Sequence, residues 1–148
     1  MTDWTQEDTR RFLAESELFS EIPEDARAGL LPAAQPRTVS ADDVVFRRGD
    51  TGDSLFLVAR GKVSITLELP SGSQEVSTLQ PGDFFGEIAM LTRAHRTATV
   101  TGLEDTVVLE FPADEILPLC RQHAKFKERI ARTGATRSRE SLEKMLEE

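Results

Sequence analysis

The residues with the most chemistry to offer fall in one stretch, Phe84-Phe85-Gly86-Glu87-Ile88-Ala89-Met90-Leu91-Thr92-Arg93-Ala94-His95-Arg96-Thr97-Ala98-Thr99-Val100. Gly86 precedes an acid, and the short apolar run Ile88 to Leu91 reads as one or two turns of helix. Glycine lets a backbone come close to a ligand. The free N–H groups of a first helical turn, helped by the helix dipole, suit an anion. Five residues beyond the run comes Arg96, followed by small or hydroxyl residues up to Val100 that read as the start of a strand. An arginine fork matches two phosphate oxygens with parallel charge-assisted hydrogen bonds. Glu87 repels phosphate, so its chemistry is to accept hydrogen bonds from hydroxyl groups, as an acid does on a ribose. A phosphate clamp beside a sugar acceptor is what a small nucleotide requires.

The elements that must hold this stretch change period along the chain. Thr5 to Glu15 reads as a helix with Phe12 and Leu13 inward and a Thr5/Asp8 capping box. Pro23 suits a first helical position, with Ala26, Leu30 and Leu31 on one face until Pro32. From Gln35 short apolar runs follow: Val39, Val44 to Phe46, Leu55 to Val58, Val63 to Leu67 and Val76 to Leu79, and after the central stretch Thr97 to Thr101 and Thr106 to Phe111. Gly-, Pro-, Asp- and Ser-rich turns separate them, so the region reads as regularly spaced strands in an antiparallel barrel or sandwich. Pro112 to Leu119, Ala124 to Thr133 and Ser138 to Glu148 read as helices, with Gly134 a weak point costing about 1 kcal/mol relative to Ala. Gly134 and Arg137 interrupt the apolar stripe between Ile130 and Leu142, which argues against a long coiled coil.

Composition limits the rest. The chain has 148 residues, 39% apolar and 30% charged, enough for one domain with a real core. A net charge of −8 argues against direct nucleic-acid contact, and gives weight to any locally focused positive charge such as Arg96. One cysteine rules out an internal disulfide and favours a reducing compartment. No apolar run approaches a membrane span and the first residues do not resemble a signal peptide, so the expected location is the cytoplasm, away from membranes. Cys120 and His123 alone make no metal site. Neither a P-loop nor a Gly-x-Ser-x-Gly nucleophile is present. No catalytic residue, metal or cofactor is indicated, and the expectation is a binding protein rather than an enzyme.

The stretch resembles the phosphate-binding cassette of the cyclic nucleotide-binding domain family, Phe-Gly-Glu-(Leu/Ile)-Ala-x-(Leu/Ile), a short gap, then Arg-(Thr/Ala/Ser)-Ala. The gap between Glu87 and Arg96 has the family's common length, and His95 departs from the proline often found there. Similarity runs from about Leu18 to about Arg132. The resemblance implies a mainly β fold with flanking α: an antiparallel jelly-roll β-barrel (double-stranded β-helix) with N-terminal and C-terminal helices. It implies one domain over 1–148, with helices in 1–34, a barrel in 35–111 carrying the cassette at 84–99, and helices in 112–148. The expected ligand is cAMP more than cGMP.

By the same resemblance Arg96 takes the phosphate, Glu87 the ribose 2′-hydroxyl, and Gly86, Ile88 and Ala89 act through backbone groups beside Phe85. Thr97 is either strand surface or a phosphate ligand that also tolerates guanine, with Ala98 next to it. Ile65, Val76 and Leu79 lie near the base and sugar or are simple core. Arg93 reads as a surface charge. Arg132, Arg137 and Arg139 read as a solvated face, with base capping the lesser alternative. The function implied is a regulatory module coupling ligand binding to its C-terminal helices, with a protein effector or a linked effector domain as partner and the oligomeric state open. The alternatives are a nucleotide-independent interaction domain and the sensory half of a transcription regulator.

Overall fold

The computed structural model describes residues 3–147; Met1, Thr2 and Glu148, the ends of the expected domain, lie outside the described residues. Helix α1 spans Gln6–Glu15. Thr5 caps it through the reciprocal pair expected from the sequence: the Asp8 N–H donates to Thr5 Oγ1 at 3.1 Å and the Thr5 N–H donates to Asp8 Oδ2 at 2.9 Å. A 3₁₀ turn at Leu18–Glu21 leads to α2 (Glu24–Leu30), where Pro23 is the N-cap rather than the first helical residue.

Eight strands follow: β1 (Gln35–Val39), β2 (Val44–Phe46), β3 (Leu55–Arg60), β4 (Val63–Leu69), β5 (Gly72–Leu79), β6 (Phe84–Phe85), β7 (Thr99–Gly102) and β8 (Thr106–Phe111). Helix α3 (Glu87–Thr92) interrupts them after β6, and α4 (Ala113–Gln122) and α5 (Ala124–Leu146) close the chain. The strands form two antiparallel sheets, ordered β1-β8-β3-β6 and β2-β7-β4-β5.

The expected closed barrel is therefore not formed. Hydrogen-bonded pairing stops at β1 and β6 in one sheet and at β2 and β5 in the other. The class is mixed α/β, two antiparallel sheets flanked by helices, and not mainly β. The long C-terminal helix accounts for much of the difference. Strand periodicity shows which residues pair across a core, not whether the last strand pairs with the first, and β6 is only two residues long.

Alternation along β3 and β8 explains the layering. Leu55, Leu57 and Ala59, with Val107, Leu109 and Phe111, join a core shared with α1, α4 and α5; Phe56, Val58 and Val108 face a second core between the sheets. Strands β3 and β8 are thus buried on both faces, which is why they read as continuous apolar runs, while the edge strand β1 stays largely exposed. Phe19 enters the helical core between Phe111 and Phe126, with ring centroids at 5.4 and 5.8 Å.

The C-terminal region departs from its sequence reading. One 23-residue helix, α5, runs through Gly134, where two helices are expected. Gly134 is buried, and a Cβ there would sit 3.4 Å from Glu87 Cγ and 3.7 Å from Ile88 Cγ1. A Cβ would make ordinary van der Waals contacts with α3 there, so a methyl fits and only a larger side chain would press α5 away from α3.

Candidate functional site

A pocket of about 560 Å³, part of it open to solvent, lies at one end of the inter-sheet core beneath α5. Ten of the eleven residues expected at a site line it: Ile65, Val76, Phe85, Gly86, Glu87, Ile88, Ala89, Arg96, Thr97 and Ala98. Leu79 is elsewhere. It pairs with Val63 in the β4–β5 ladder and is buried in the inter-sheet core.

Arg96 is 5% exposed, although it carries a full charge in the pocket wall. Its backbone ties the cassette to the turn after β2: the Arg96 N–H donates to Asp50 O at 2.9 Å, and the Gly49 N–H donates to Arg96 O at 2.8 Å. Nη1 donates to Ser54 O at 3.1 Å and Gly86 O at 3.2 Å. Among the described residues no acceptor bonds Nε or Nη2; Gly52 lies beside this edge, where an added Cβ would be 3.5 Å from Nη2 and 3.7 Å from Nε. Burial lowers the Arg96 pKa from its ordinary value, while Glu110, Asp53, Asp50 and Glu87 pull it back through space. Gly86 is required where it stands. Its φ is +84°, and a Cβ would meet Ser54 O at 2.8 Å and Arg96 Nη1 at 2.9 Å.

Glu87 opens α3 and is 1% exposed. Burial raises its carboxyl above the ordinary carboxylate range; Arg137, ion-paired to Oε1, is the strongest opposing influence. Arg137 is thus not part of a solvated face. Its side chain is 19% exposed and its guanidinium lies 5.5 Å from the Phe84 ring centroid. Arg132 does face solvent, paired with Glu128 one turn away, and Arg139 is exposed. Arg93 is exposed too, ending α3 in a left-handed conformation with φ +56°.

Sequence reasoning did not place Phe46, Ser77, Glu140 and Ser141 in the pocket wall. Ser77 is there because of a bulge: Ile65 pairs with Ser77 and Thr66 with Glu75, leaving Val76 as the extra residue. Strict alternation puts only one of two neighbours on a face, so the pattern of β5 alone hides this. Glu140 and Ser141 follow from α5 continuing past Gly134. Among the described residues no group of three or more His, Cys, Asp or Glu gathers to hold a metal, and no helix is long and apolar enough to cross a membrane.

A buried arginine with no acceptor on one edge thus stands beside a buried acid on a short helix in a largely apolar pocket. Comparison with known proteins identifies the family. The cyclic nucleotide-binding domain model matches residues 36–123, more than half of the chain, and the chain belongs to that family. It is a cyclic nucleotide-binding regulatory module, a binding domain and not an enzyme. The cAMP-dependent protein kinase regulatory subunit of Dictyostelium discoideum is 36% identical over 113 residues, 74% of this chain and 35% of that protein. The chain thus spans about a third of that relative's length. The catabolite activator protein of Thermus thermophilus superposes with a TM-score of 0.72 at 31% identity, covering 85% of this chain and 60% of that one. The regulatory domain of Toxoplasma gondii PKA, co-crystallised with cAMP, superposes with a TM-score of 0.69 at 29% identity, over 80% of this chain and 46% of that one.

Proposed function

We propose that this pocket binds cAMP in preference to cGMP and that occupancy is read out through α5. The observation that carries the reading is Arg96: a buried guanidinium with one nitrogen committed to two carbonyls and, among the described residues, no acceptor on the Nε–Nη2 edge. That edge offers the two parallel donors a phosphodiester accepts. The Ile88 and Ala89 N–H groups in the first turn after Gly86 add to the anion site, while the Glu87 N–H is engaged by its own carboxylate. Glu87 accepts the ribose 2′-hydroxyl, exchanging part of its interaction with Arg137. The base lies against Ile65 and Val76. Preference for adenine is supported by the relatives named for cAMP rather than by a contact in the pocket.

A ligand held by α3 and the Arg96 loop also meets α5 at Arg137, Glu140 and Ser141. It shifts the position of α5 by as much as its affinity differs between the docked and undocked arrangements. The downstream partner is a protein effector or a covalently linked domain. Calorimetric titration with cAMP and cGMP tests the reading: saturable one-to-one binding, tighter for cAMP, is expected. Tighter cGMP binding overturns the base preference, and no binding of either overturns the sensor.

A further inference from the structure

Among the described residues the guanidinium of Arg96 has neutral partners only. Besides the two carbonyls it lies over aromatic rings, with Cζ 4.3 Å from the Phe46 centroid and 5.5 Å from that of Phe56. These rings belong to a three-ring cluster that joins the sheets. Phe56 and Phe85 are cross-strand partners stacked at 5.0 Å with planes 7° apart. Phe46, from the other sheet, closes on them at 5.6 and 5.8 Å. Among the described residues no carboxylate comes within ion-pairing distance of Arg96; Glu110, Asp53, Asp50 and Glu87 act only from farther off.

A close carboxylate would hold the arginine as well, but it would also neutralise the charge and occupy the donors a phosphate needs. An aromatic face attracts the cation through its quadrupole and takes no N–H donor. We propose that Phe46 is the positioning residue of the anion clamp: its ring fixes the plane of the Arg96 guanidinium and leaves the charge and the Nε–Nη2 edge for the ligand. Phe46 is suited to this because its half-buried ring lies nearest the guanidinium and also lines the pocket; Phe56 lies farther off, and Phe85, which lines the pocket too, is buried in the core. The inference rests on the reading of Arg96 as the phosphate ligand.

The test separates ring electronics from ring volume. Phenylalanine at position 46 is replaced by its mono-, di- and trifluorinated forms, which weaken the quadrupole with little change in size, and by Phe46→Tyr and Phe46→Leu. cAMP affinity is read by calorimetry, and the arginine Nε–Hε resonance of Arg96, assigned by its loss in Arg96→Lys, by NMR. Affinity should fall stepwise with fluorination, by about three- to thirtyfold across the set including Leu, and stay near wild type in Tyr. The Arg96 resonance should lose its ring-current shift in Phe46→Leu. Affinity that ignores fluorination, in variants that keep their fold, overturns the proposal and leaves Phe46 a packing residue. If the wild type binds no cyclic nucleotide, the nucleotide reading fails by itself. The resonance then decides the positioning role: a position unchanged in Phe46→Leu overturns it, and a shifted one sustains it.

Discussion

Arg137 on α5 donates from Nη1 to Oε1 of Glu87 on α3, across fifty positions of sequence. The pair joins the last helix of the chain to the acid at the centre of the cassette. Both partners are largely withdrawn from water, with side chains 19% and 2% exposed. Next to it Gly134 brings the two helices into van der Waals range. Whatever enters the pocket and meets Glu87 therefore meets the contact that holds α5 down.

The pair makes stability depend on pH in a defined direction. Burial raises the Glu87 carboxyl and Arg137 opposes the rise. A carboxyl raised in the fold binds its proton more tightly folded than unfolded. Its contribution is therefore fully present below the ordinary carboxylate pKa and is lost as pH rises through the raised value. Arg137→Met removes the main opposing influence and extends that loss toward neutrality. Denaturant unfolding from about pH 4 to about pH 8 should show the variant close to wild type at the acid end and about 2–4 kcal/mol less stable at the other. A deficit of one size across the range would mean that Arg137 contributes packing alone.

Gly134 gives a second prediction. Gly134→Val places a branched side chain where even a Cβ already touches Glu87. The expected result is α5 lifted from α3 with the sheets intact: faster amide exchange along Ala124–Leu146, unchanged protection in β3 and β8. Loss of about 1–3 kcal/mol of stability should accompany it. Protection retained throughout α5 would show that the helix does not depend on this close approach.

Gly86 gives a third. Its positive φ and the 2.8 Å approach to Ser54 O leave no room for a methyl group. Gly86→Ala should cost about 2 kcal/mol or more in thermal or denaturant unfolding. It should also weaken anion binding, because the Gly86 carbonyl is one of the two that orient Arg96. A variant as stable as wild type, binding as tightly, contradicts the assigned backbone geometry.

Local features were the legible ones. The Thr5/Asp8 box, the strand runs at Leu55 and Thr106 and the gathering of Gly86, Glu87 and Arg96 all follow from spacing within a few residues. What was hidden depends on contacts between distant segments. A bulge at Val76 turns Ser77 into the pocket, yet alternation along β5 gives no sign of it. Gly134 and Arg137 look like interruptions of an apolar stripe because their partner, α3, is far away in sequence. Phe46 reads as one more strand residue until β2 is placed beside Arg96. The absent barrel closure has the same origin, since edge pairing leaves no mark within a single strand.

The central claim is that the open edge of Arg96 takes the phosphate of a cyclic nucleotide. The most direct measurement is calorimetric titration of wild type and Arg96→Ala with cAMP, each shown to be folded by its unfolding transition. The account predicts saturable binding by the wild type, weakened about a hundredfold or more in the variant. A folded Arg96→Ala protein that binds cAMP as tightly as wild type would contradict it.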